Sequence, residues 1–284
     1  MKNNTRLNRG GYLIDKPGGK YYKAFAHYLV KFLDAYKANG VPIWGLTMEN
    51  EPLHSDPNYS FNSLGFTAEL QRDFIKQDLG PILEEAGYGV NTTKLMIFDD
   101  NINQLLQWAQ TILADRDAAK YISGTAVHWY ENNDTNIAIL DKVQALDEMK
   151  FILSTEASLA DHKLGNWESL NRYAGDILRG LKHETVGWVD WNMVLDVQGG
   201  PNWVHNYCDG PISVSAIDEE YYKNPVFYGL GHFSKFIEPD SRRIDAKESH
   251  VLQNLTTIAF NRPDGATTLI ALNTGPDIVS LTIV

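Results

Sequence analysis

Two glutamates stand out because each follows an apolar run. Val41-Pro42-Ile43-Trp44-Gly45-Leu46-Thr47-Met48 leads into Glu49-Asn50-Glu51-Pro52, and Phe151–Ser154 leads into Thr155-Glu156. Two carboxyl groups aimed at one point from separate elements can cleave an acetal. One protonates the leaving oxygen while the other attacks the carbon from the opposite face, at a separation of about 5–5.5 Å. Either glutamate alone reads equally well as a solvated loop carboxylate; the neighbours favour the pair. Asn50 can donate to a sugar 2-hydroxyl, a bond that strengthens in the transition state, and Pro52 fixes the backbone beside Glu51. Glu49 should point to the opposite side, because side chains alternate along a strand.

A second cluster is His128-Trp129-Tyr130. The Tyr130 phenol can hydrogen-bond the attacking carboxylate and hold it ionised. His128 reads as a ligand, a base or a satisfied interior histidine. No second histidine stands at a metal-like spacing, so the sequence carries no metal site and no cofactor motif. Trp191 is either a stacking floor for a sugar ring or plain core. Asp99-Asp100 is expected to cap the helix that follows it.

These residues need a scaffold. Tyr21 to Ala38 repeats apolar residues at three- and four-residue steps, which predicts an amphipathic helix, stopped at Asn39-Gly40. Helices are then expected near Thr67–Ala86, Asn103–Leu113, Thr135–Glu148, Trp167–Lys182 and Pro225–Phe236. Five apolar strands alternate with them: Val41–Met48, Lys94–Phe98, Gly124–Val127, Phe151–Ser154 and Thr185–Val189. Such alternation calls for a parallel sheet with helical crossovers. Every strand ends in polar or aromatic residues, as the strands of a (β/α)8 barrel do. No glycine-rich phosphate loop follows any strand, so the nucleotide-binding alternative is disfavoured. Beyond Glu238 the pattern changes to short strands at Leu252–Phe260, Thr267–Leu272 and Ile278–Ile283, with Asp264-Gly265 as a hairpin turn. The division is therefore a partial barrel over 1–237 and part of a β-sandwich over 238–284.

Composition narrows the classes. A net charge of −11 leaves no basic surplus for nucleic acid. No apolar run approaches the ~18 residues of a membrane-spanning helix. Seven Trp, 14 Tyr and 11 Phe suit sugar stacking, although aromatic residues also fill large cores. One cysteine, Cys208, excludes an intrachain disulfide. Sequons begin at Asn3, Asn58, Asn91, Asn133 and Asn254, compatible with a secretory route. The N-terminal MKNNTRLNRG lacks the apolar stretch of a signal peptide.

Asn50-Glu51-Pro52, with a second glutamate far downstream, resembles the glycosidase superfamily that carries its acid/base after strand four and its nucleophile after strand seven. The stretches VKFLDAYKANG, TMENEP, GFTAELQRDFI, AVHWY, STEAS, VGWVDWN, GGPNWVHNYCD and FYGLGHFSKFI are similar, in order, to the acid β-glucosidase (glucosylceramidase) family, glycoside hydrolase family 30. The resemblance implies Glu51 as acid/base and Glu156 as nucleophile, with Asn50, His128, Tyr130, Trp191 and Asn206 around the sugar. It implies a β-glucoside substrate, usually glucosylceramide, a lysosomal or secreted location, contact with a membrane surface, and a small lipid-binding activator protein as partner. A β-xylosidase or endo-glycanase on the same scaffold is an alternative, as is a non-catalytic carbohydrate-binding piece. Family members carry a longer N-terminal portion with the first three barrel strands. Five strands cannot close a barrel, so this chain is expected to be fragile or prone to associate, and weakly active.

Overall fold

The computed structural model describes residues 1–4, 10–160 and 163–283. Residues 5–9, part of the stretch read against a signal peptide, and Val284 lie outside the described residues. The chain forms two compact units, 1–157 with 183–189, and 158–182 with 190–284.

The first unit is built on a parallel five-stranded sheet in the order β1-β2-β3-β4-β5. Helix α1 (Lys20–Ala38) precedes β1 (Gly45–Thr47); α2 (Ala68–Phe74) and α3 (Gly80–Glu85), joined by a π-helical turn, precede β2 (Lys94–Asn101). Then come α4 (Leu105–Leu113), α5 (Arg116–Ala119), β3 (Gly124–His128), α6 (Ile139–Gln144), β4 (Phe151–Glu156) and β5 (Thr185–Trp188). Neighbours in the sheet are also neighbours in sequence, the order of successive barrel units. The helix α1 buries Tyr22, Ala26, Leu29 and Leu33, the stripe its periodicity demands. Against it pack Phe66 and Phe74, with the Tyr22 and Phe74 ring centroids 5.5 Å apart.

Strand β2 is buried along Leu95, Met96, Ile97 and Phe98, as expected for a parallel strand covered on both faces. The run Val41–Met48 behaves otherwise. Only Gly45–Thr47 pairs, with β2 alone among the described residues, and Val41 and Trp44 are exposed. An edge position and the absent amide hydrogen of Pro42 account for the shortening. The helix expected over Thr135–Glu148 is likewise reduced to Ile139–Gln144.

In the second unit α7 (Trp167–Lys182) packs on α8 (Pro225–Ser234). Strands β6 (Val194–Asp196), β7 (Ile212–Ser215) and β8 (Glu220–Lys223) form a small sheet that the sequence did not suggest. The antiparallel sheet β11-β10-β9 comprises β9 (Arg242–Ile244), β10 (Leu255–Asn261) and β11 (Thr267–Asn273). The hairpin between β10 and β11 turns at Asp264-Gly265, where the Arg262 amide donates to the Ala266 carbonyl at 2.8 Å. Residues 278–283 form no strand; Ile278 and Ile283 are exposed. No helix among the described residues is long and apolar enough to cross a membrane.

Candidate active site

The site forms where β1 to β4 end, and its shape comes from two departures from regular strand geometry. In β2, Phe98 and Asp99 both have positive φ, 74° and 76°, and the register against β3 slips between Phe98 and Asp100. This bulge takes the Phe98 amide out of the ladder. The buried Gln71 side chain accepts it at 3.1 Å and accepts the Trp108 indole N–H at 2.7 Å. Two non-glycine residues in the left-handed region cost about 1–3 kcal/mol each, and bulges commonly re-aim a side chain beside a site. Here the bulge turns Asp99 into the site. The second departure is Glu51 itself, at φ 50°, whose amide donates to the Asp99 carbonyl at 2.9 Å.

The expected capping role of Asp99 and Asp100 does not occur. Both lie within β2 rather than before a helix. Asp99 receives Thr47 Oγ1 at 2.5 Å, Thr155 Oγ1 at 2.7 Å and His128 Nε2 at 3.2 Å. Asp100 accepts the amides of Leu53 at 3.1 Å and Asn101 at 2.7 Å. The bulge overrides the cap because the acids are already committed to neighbouring strand ends.

Glu51 and Glu156 come together. Oxygen atoms from these two carboxylates and a ring nitrogen of His128 all lie within 4.8 Å of one another. Each carboxylate holds one phenol: Tyr59 donates to Glu51 Oε2 at 2.5 Å, and Tyr130 donates to Glu156 Oε1 at 2.8 Å. The His128 side chain is buried between them, with Nδ1 at 3.4 Å from Glu51 Oε1 and 3.7 Å from Glu156 Oε1. His54 stacks on Tyr59 at 4.1 Å and lies 3.6 Å from Glu51 Oε2. Glu49 points elsewhere: it accepts the Leu64 backbone and faces Lys2, and burial pushes its pKa up to about 8.

Burial opposes charging His128, but Asp99, Glu51 and Glu156 outweigh it and raise its pKa to about 10. Burial likewise favours neutral Glu51, yet the nearby His128, the Tyr59 phenol and His54 hold it below the usual glutamate range. Glu156 lies above that range, because burial and the charge of Glu51 exceed the help from His128 and Tyr130. The two carboxyl groups are thus driven apart, Glu51 below and Glu156 above the usual range. Three ligand-type groups this close could also meet a metal ion. The phenols of Tyr59 and Tyr130 that donate to the two acids also suit a proton-handling site.

Asn50 is exposed beside Glu51. Trp191 and Asn206 belong to the second unit. The Trp191 amide donates to Asp190 Oδ1 at 3.0 Å, and the Asn206 amide to Asn202 Oδ1 at 3.2 Å. Sequence reasoning missed Thr47, His54, Tyr59, Asp99 and Thr155. Thr47, Asp99 and Thr155 share one signal, a place at the C-terminal end of an apolar run, whereas His54 and Tyr59 lie farther along the loop after Met48 and carry no such signal.

A consecutive parallel β/α sheet with a carboxyl pair at its C-terminal rim defines the barrel class whose polar residues gather at one mouth. Residues 1–237 match the glycosyl hydrolase family 30 TIM-barrel domain, and residues 240–284 match the glycosyl hydrolase family 30 beta sandwich domain. The chain belongs to glycosyl hydrolase family 30. It is 40% identical to the lysosomal acid glucosylceramidase of Mus musculus over 100% of this chain and 56% of that protein. It therefore spans about half the length of the curated relatives it matches. Among solved structures, SrfJ from Salmonella typhimurium has a TM-score of 0.88 at 26% identity, covering 97% of this chain and 59% of that one. An endo-β1,6-glucanase has a TM-score of 0.80 at 29% identity, covering 94% and 58%.

Proposed function

We propose that this chain carries the catalytic pair of a retaining β-glucosidase of the glucosylceramidase type. Glu51 acts as general acid/base and Glu156 as nucleophile. The observation that carries the reading is the approach of the two carboxylates within 4.8 Å, close to the ~5–5.5 Å of double displacement and short of the ~6.5–9.5 Å that leaves room for a water in inversion.

Glu156 attacks the anomeric carbon while Glu51 gives its proton to the leaving oxygen; Glu51 then draws a proton from water, which releases the sugar from Glu156. The resting electrostatics favour a proton on Glu156 over one on Glu51, the reverse of what the first step needs. Positive charge growing on the anomeric carbon stabilises ionised Glu156 and moves the proton preference to Glu51. Tyr130 supports the same form by donating to Glu156. In this reading Asn50, His128 and Tyr130 contact the sugar, and the family resemblance gives Trp191 and Asn206 the same role, with 1–237 as the catalytic barrel and 238–284 as the sandwich domain.

The name of the mouse relative supports glucosylceramide as substrate and a lysosomal location. Turnover by this chain alone is expected to be weak, since β1 and β5 each have one hydrogen-bonded neighbour in the sheet. The likeness to an endo-β1,6-glucanase favours an endo-glycanase as second reading. Hydrolysis of an aryl β-glucoside compared with a β-1,6-linked glucan separates them. Preference for the aryl glucoside supports the first, and cleavage of the glucan alone overturns it.

A further inference from the structure

Nothing in the double-displacement scheme uses Asp99, yet this residue joins every strand end around the pair. It sits on β2, between β1 and β3 in the sheet. Its Oδ2 receives Thr47 of β1 at 2.5 Å, and its Oδ1 receives Thr155 of β4 at 2.7 Å and His128 of β3 at 3.2 Å. Its backbone carbonyl receives the Glu51 amide at 2.9 Å. The strained bulge at Phe98 and Asp99 sets this placement, and Asp99 is only 7% exposed.

His128 is the only one of these partners that meets both glutamates. Its ring is fully buried, with Nε2 on Asp99 and Nδ1 between Glu51 and Glu156, aligned with neither. A ring with a carboxylate at one nitrogen and two at the other has acceptors on both sides, the setting that suits imidazolium.

We propose that Asp99 is a positioning residue for the carboxyl pair: it keeps His128 cationic and aimed between Glu51 and Glu156, so that one fixed positive charge faces both. The inference deepens the double-displacement reading and rests on it. The charge has a definite task. Two glutamates this close repel when both are ionised, and a fixed cation relieves that repulsion without giving up its own proton. The titratable groups facing His128 are Asp99 from β2, Glu51 with its partners Tyr59 and His54 from the segment after β1, Tyr130 beyond β3, and Glu156 from β4. Of these, the carboxylates favour the cation, and burial opposes it.

Asp99→Asn tests this in the full chain. Asparagine tolerates the left-handed backbone and keeps the side-chain shape, but removes the charge. The primary readout is the His128 ring, followed by ¹⁵N chemical shifts in histidine-labelled protein. In the parent chain both nitrogens should carry protons at pH 7.5. In Asp99→Asn the ring should be neutral at that pH, and the alkaline limb of kcat/KM should move to higher pH, since a lost cation makes the last proton of the pair harder to remove. Thr155→Val, which removes a hydrogen bond to Asp99 without changing charge, should leave the ring cationic. A parent ring that is neutral at pH 7.5, or a ring still cationic in Asp99→Asn, overturns the proposal. If Asp99→Asn does not fold, titration of the parent and Thr155→Val rings decides: cations at pH 7.5 in both sustain it, and a neutral ring in either overturns it. The readout does not depend on turnover, so it stays separate from failure of the double-displacement reading, which would appear as absence of covalent labelling at Glu156.

Discussion

The two ends of the five-stranded sheet are built from opposite materials. At the C-terminal end Thr47, Asp99, His128, Thr155 and Glu156 hold one another by hydrogen bonds and charge. At the N-terminal end the strands begin at Gly45, Lys94, Gly124, Phe151 and Thr185, and space is the constraint. A Cβ on Gly124 would stand 2.6 Å from the Phe151 ring and carbonyl, and one on Gly45 would stand 2.9 Å from the Lys94 carbonyl. The Trp44 and Phe151 rings lie 5.5 Å apart at this end. One end is tuned by electrostatics and the other by steric fit, the division between chemistry and stability expected of the two faces of a barrel.

Substitutions at each end should therefore fail in different ways. Glu156→Gln should lower the hydrolysis of an aryl β-glucoside by more than about a thousand-fold, because it removes the nucleophile, with an unchanged circular dichroism spectrum. Equal turnover would break the contrast. Gly124→Ala should do the reverse: it should cost about 1–3 kcal/mol in denaturant unfolding, as overpacking does, with kcat per folded molecule preserved. A drop in kcat without loss of stability would show that the two ends are not separable.

A smaller effect follows from protons. Glu49 and His128 both bind a proton more tightly in the folded chain, at about 8 and about 10 against ordinary values of 4.5 and 6.5. The contribution of Glu49 is full below pH 4.5 and is lost as pH rises towards 8. That of His128 is full below 6.5 and is lost as pH rises through 10. The denaturation midpoint should accordingly fall between pH 5 and pH 9. A midpoint that rises over this range would contradict the burial of these groups at the charged end.

The sequence made the regular part of this architecture readable. Helix α1 and helix α7 follow their periodicity almost to the residue, and the Glu51, His128, Tyr130 and Glu156 cluster follows from asking what ends each apolar strand. Long-range pairing was not readable. Nothing local to Phe98-Asp99 announces a bulge, because it depends on Gln71 accepting the stranded amide. Asp99 therefore looked like a helix cap. The sheet β6-β7-β8 escaped for another reason: β8 is exposed along its whole length and β6 has three residues, so neither carries an alternating pattern. The apolar stretch at Ile278–Ile283 misled in the opposite direction, since alternation without a partner strand does not make one.

The proposed double displacement requires a covalent bond between Glu156 and the sugar during turnover. Incubating the intact chain with an activated 2-deoxy-2-fluoro β-glucoside and mapping the adduct by peptide mass spectrometry tests it directly. A fluoroglucosyl ester is expected on the peptide containing Glu156, absent in Glu156→Gln; an adduct on Glu51, or none on the folded chain, would contradict the assignment.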